Sequence, residues 1–144
     1  MYKKVIVAID LSDASEKVVS KALELAAGDA TKLALIHVVE PIPPSWGVEA
    51  YAIDPLEFQQ RIMDYARARI AEIGSKAGID PSQHYVSLGI AVFEIRKLVK
   101  ELDADAIAIG SHGQGGWKSL LGSTSNKVLH GATCDILTVH IDEG

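Results

Sequence analysis

Residues 4–10 read KVIVAID, and the fold turns on them. Five apolar residues follow one another with no polar residue between, and Val and Ile dominate. Such a run suits a strand covered on both faces, not one with a wet side. A strand with two dry faces needs helices above and below, so the flanking sequence must supply them.

It does. LSDASEKVVSKALELAAG (11–28) spaces Val18, Val19, Ala22, Leu23 and Ala26 as one helix face, and Gly28 stops the pattern. Ser12 or Asp13 is the expected cap, with Glu16 three residues after Asp13 as in a capping box. KLALIHVVE (32–40) is a second strand. PIPPSWGVEAYAIDP (41–55) holds four of the five prolines and cannot be regular. Connections of that length in a compact domain are usually mobile or functional. A helix is predicted from Leu56 to Lys76, with Phe58, Ile62, Met63, Ala66, Ile70 and Ile73 inward, ended by Gly78 and Asp80-Pro81. HYVSLG (84–89) is a third strand and VFEIRKLVKELDA (92–104) a helix with Ile95, Leu98, Val99 and Leu102 inward. DAIAIG (105–110) is a fourth strand, STSNKVLHGA (123–132) a short helix capped by Ser123, and DILTVHI (135–141) a fifth strand. Strands alternating with helices predict an α/β fold: a three-layer α/β/α sandwich on a five-stranded open parallel sheet, Rossmann-like. The whole of 1–144 reads as one domain.

Composition narrows the function. A net charge of −5, from 14 Lys and Arg against 19 Asp and Glu, gives no basic surface for nucleic acid. Cys134, the single cysteine, cannot form an intrachain disulfide and reads as a small hydrophobe. No apolar stretch is long enough for a membrane span and the start is too short for a secretory leader, so a cytoplasmic protein is expected.

Ligands of open parallel sheets sit at the carboxyl ends of strands, where the strand order reverses. That directs attention to Asp10, His37 to Glu40, Gly89 and the segment opening at Gly110. IGSHGQGGWKSLLGST (109–124) contains five glycines. Either its backbone comes close to a phosphate, helped by N–H groups at the start of the last helix, or it is a plain connection. Lys118 is either a charge reaching that phosphate or a solvated side chain, and His112 either meets a ligand or faces solvent. Asp10 either accepts from a ribose hydroxyl or helps hold a magnesium ion, or it caps the first helix. The turn DLSDAS lacks the glycines of a P-loop and of a dinucleotide fingerprint. Histidines show no metal spacing, and no nucleophile–base pair is visible.

Ala8-Ile9-Asp10 ending the first strand, Gly110-Ser111-His112-Gly113 after the fourth, and Leu121-Gly122-Ser123 before the last helix are familiar together. With LALIHVVE they resemble the universal stress protein family over nearly the entire chain. The resemblance implies the fold already derived, in its adenine-nucleotide-binding form, usually as a homodimer. One branch of that family binds ATP through G-x2-G-x9-G-[ST]; another lacks those glycines and binds no nucleotide. By resemblance, Asp10 and Val38 contact ribose and adenine, while Gly110, Gly113, Gly122, Ser123 and Thr124 hold ribose and phosphates. The final strand, 135–141, takes the role of pairing across the dimer axis. The chain departs from the pattern in its spacing: eight residues, 114–121, separate Gly113 from Gly122. Trp117-Lys118-Ser119-Leu120 is also similar to a run in the non-binding branch. The expected function is binding of ATP or a related adenine nucleotide, alone or with Mg2+, as a regulatory ligand with little or no hydrolysis. The alternative is a dimeric interaction module without nucleotide, and an ATP-consuming enzyme ranks third.

Overall fold

The computed structural model describes residues 1–41, 54–111 and 134–141. Within them run β1 (Val5–Ala8), α1 (Ser15–Leu25), β2 (Leu33–Val39), α2 (Pro55–Lys76), β3 (His84–Leu88), α3 (Ala91–Leu102), β4 (Ala106–Gly110) and β5 (Asp135–Val139). The strands form one five-stranded sheet in the order β3-β2-β1-β4-β5, and every neighbouring pair is parallel. The expected α/β class is therefore observed. The predicted helix at 123–132 and most of the 41–55 connection lie outside the described residues.

β1 is central, and its four residues are wholly or almost wholly buried. Its alternate side chains feed two cores, because successive residues of a strand point to opposite faces. Val5, Val7 and Ile9 pack with Val18, Val19 and Ala22 of α1 and Ala66, Ile70 and Ile73 of α2. Ile6 and Ala8 pack on the other face with Ile36, Val38, Ile95, Leu98 and Ile107. Helices α1 and α2 thus cover one face and α3 the other, as the unbroken apolar runs require.

Local chemistry sets the ends of the elements. Asp54 caps α2 by accepting from Leu56 N at 3.0 Å, and Pro55 occupies the first helical turn, where its missing N–H costs nothing. Asp29 and Asp80 make the same kind of turn before β2 and β3, accepting from Thr31 N and Ser82 N. At the amino ends of β1 and β4 the Asp105 carboxylate accepts from the backbone N–H groups of Lys3 and Lys4. That fixes the register Val5↔Ala106 across the first and last thirds of the chain.

The start of α1 differs from expectation. The capping residue is Ala14, with no side-chain cap, and helix begins at Ser15. Neither Ser12 nor Asp13 serves as cap. The turn is organised instead by Asp10, whose Oδ1 accepts from Ser12 N at 3.0 Å, Ser12 Oγ at 2.6 Å and Ser15 Oγ at 3.2 Å.

Candidate nucleotide site at the strand reversal

From β1 the chain proceeds outward through β2 to β3, then returns to place β4 on the other side of β1. The strand order therefore reverses between β1 and β4, and ligands of open α/β sheets sit beside that reversal at the carboxyl ends. Asp10 follows the end of β1 and Gly110 ends β4, with Ala8 opposite Ile109 in register. These two sequence-predicted site residues flank the reversal. Next to Gly110, Ser111 N donates to the Val139 carbonyl at 2.7 Å, and Ser111 Oγ accepts from Ile141 N at 2.7 Å, so the β4 rim is tied to β5.

β1 and β2 part company just past their ladder. Ile9 N donates to the Ile36 carbonyl at 3.0 Å, while the Ile9 carbonyl accepts from His37 Nδ1 at 2.8 Å. A carbonyl only accepts, so Nδ1 carries the proton and the neutral tautomer is set. Burial holds the His37 pKa below the ordinary histidine value, with the Ile9 bond and the Asp10 charge pulling the other way. Val38, one residue on, lies on the opposite face: its side chain is 2 % exposed and packs in the α3-side core.

On the α2 face the rim opens into a cleft of about 680 Å³. Asp10, Leu11, Asp13, His37, Tyr65 and Arg69 are among its walls. Arg69 was not legible as a site residue: it reaches from mid-α2 to donate Nε–H to the Leu11 carbonyl at 3.1 Å. Its other nitrogens lie 3.5 Å from Asp13 Oδ1 and 3.3 Å from Glu72 Oε2. Both carboxylates are well exposed, and such pairs contribute only about 0–1 kcal/mol each. With Asp10 counted, this end of the cleft carries three carboxylates and one guanidinium. Among the described residues no three His, Cys, Asp or Glu side chains gather as a metal site, and no helix is long and apolar enough to cross a membrane. Gly113, Gly122, Ser123 and Thr124, together with His112, Trp117 and Lys118, lie outside the described residues.

Residues 1–140 match the model of the Universal stress protein family. The chain belongs to that family. Among its relatives, universal stress protein A homolog 2 of Coxiella burnetii is 40% identical over 141 residues, covering 97% of this chain and 96% of that one. Universal stress protein G of Shigella flexneri is 32% identical, covering 96% and 99%. In fold, this family member is similar to the hypothetical protein MJ0577, with a TM-score of 0.73, 24% identity and coverage of 100% and 99%. It is also similar to a universal stress protein solved in complex with cAMP, with a TM-score of 0.61, 25% identity and coverage of 96% and 97%.

Proposed function

We propose that this protein is a cytoplasmic universal stress protein that binds ATP or a related adenine nucleotide as a regulatory ligand, with little or no hydrolysis. The observation that carries the reading is the placement of Asp10 and Gly110 on either side of the strand reversal. In this reading Asp10 accepts from ribose hydroxyls. The bonds that Oδ1 receives from Ser12 and Ser15 orient the carboxylate for that role. Val38 meets adenine through its peptide groups, since its side chain is committed to the core. Gly110, Gly113, Gly122, Ser123 and Thr124 bind ribose and phosphates.

Charge supports that polarity. The carboxylates around Asp10 repel phosphate and accept from sugar hydroxyls, so the sugar belongs on their side and the phosphates toward the β4 loop. Any Mg2+ arrives with the phosphates, because one carboxylate plus substrate oxygens is its usual setting. Asp10 and His37 are each hydrogen-bonded to neighbouring groups, Asp10 to Ser12 and His37 to the Ile9 carbonyl, which supports slow turnover. The chain acts as one domain, 1–144, in a homodimer paired through 135–141. The cAMP complex of the relative at 25% identity supports adenine as the base.

Isothermal calorimetry with ATP, with and without magnesium, is the test. Saturable heat near one nucleotide per chain, weakened about tenfold or more by Asp10→Ala, is expected. No heat and no melting shift at about millimolar ATP would leave the nucleotide-free interaction module as the function.

A further inference from the structure

We infer that Arg69 is a positioning residue for the ligand site: from α2 it clamps the peptide that orients the Asp10 carboxylate. The inference rests on the nucleotide reading only for its consequence on affinity.

The Leu11 carbonyl and the Ser12 N–H are the two ends of one planar peptide. The Ser12 end donates to Asp10 Oδ1 at 3.0 Å, and the Leu11 end accepts from Arg69 Nε at 3.1 Å. That plane is therefore held from both sides, and turning it would break both bonds. It also needs holding. Leu11 has φ +69°, the left-handed region that non-glycine residues avoid, while its side chain is buried. The local donors, Ser12 Oγ and Ser15 Oγ, secure the carboxylate but not the carbonyl. The group that does so arrives from 58 residues away.

Arg69 is suited to this task more than to ligand capture. Its side chain is 16% exposed, against 108% for Asp13 and 57% for Glu72. The ion pairs are thus screened by water, whereas the bond to Leu11 lies in a partly buried place. Losing Arg69 therefore releases the peptide first and the charges second.

The test uses the full-length, 15N-labelled protein. In Arg69→Met, which keeps the aliphatic stem, the Ser12 amide should exchange with solvent about tenfold or more faster, while the Val7 amide is unchanged. Glu72→Gln, which removes an ion pair and leaves the Leu11 bond, should not move Ser12. Arg69→Lys, which retains charge but lacks the fixed Nε donor, should accelerate Ser12 to an intermediate degree and serves if the Met variant does not fold. ATP affinity should fall about fivefold or more in Arg69→Met, and less than about twofold when the change is made on Asp10→Asn. That coupling is what general destabilisation would not produce. Unchanged Ser12 exchange in folded Arg69 variants overturns the inference, as does equal loss of affinity with and without the native Asp10. If the wild-type chain takes up no ATP yet Ser12 exchange accelerates, the clamp stands and the nucleotide function falls.

Discussion

Gly74 lies on the face of α2 that meets β3, where the His84 ring is packed directly against it. A methyl group there would overlap the ring, and the ring is not at liberty to retreat, because His84 Nε2 donates to the Ile79 carbonyl at 3.0 Å. Alanine improves helix propensity by about 1 kcal/mol over glycine, but overpacking costs about 1–3 kcal/mol and the hydrogen bond is lost in addition. Gly74→Ala should therefore lower the urea midpoint, against the direction that propensity alone gives. A midpoint equal to or above that of the wild type would contradict the packing described. At the same scale, Asp10 was visible in the sequence because a lone carboxylate after an apolar run is conspicuous. Arg69 was not, because its importance depends on a carbonyl that only the folded chain brings near.

The elements were legible where one local signal dominated. Apolar runs rich in β-branched residues gave the strands, and Asp80-Pro81 marked a break after α2 that the structure keeps. Asp54 and Pro55, read as part of the irregular connection, in fact cap and open α2. The start of α1 was misread because Ser12, Asp13 and Glu16 carry a capping pattern, yet a more distant acceptor, Asp10, captures Ser12 instead. The half of the candidate site proposed to hold phosphates was read from glycine spacing and resemblance, and its residues from Gly113 to Thr124 lie outside those described. Helix α3 offers an element-scale test. Its C-terminal cap, Asp103, has φ +51°, where a side chain is strained, and a negative charge at a helix C-terminus is unfavourable. Asp103→Gly should raise stability by about 0.5–1 kcal/mol, read as a higher melting temperature. A lower one would mean that Asp103 makes a contact outweighing both costs.

Across the whole molecule, acid should act in two stages. The pKa of His37 is lowered by burial from 6.5, so the native state resists protonation that the unfolded chain accepts. Its contribution is complete above about pH 6.5 and is lost as the pH falls from there toward the lower native value. Asp29, Asp80 and Asp105 are held below 3.8 by hydrogen bonds from Thr31, Ser82 and Lys3, so their contributions persist until the pH drops past that value. Denaturant midpoints should decline first as the pH falls below about 6.5 and again below about pH 4. In His37→Gln the first decline should flatten and the second remain; an unaltered first decline would assign it elsewhere.

Because β1 pairs with both β2 and β4, the middle of the sheet joins segments from opposite ends of the polypeptide. During synthesis the central strand leaves the ribosome first and waits roughly a hundred residues for its second neighbour. Until β4 emerges, the edge of β1 that pairs with it keeps its backbone N–H and C=O groups open to solvent and to other nascent chains. The time taken to translate residues 9–105 thereby bounds how long that edge stays unpaired.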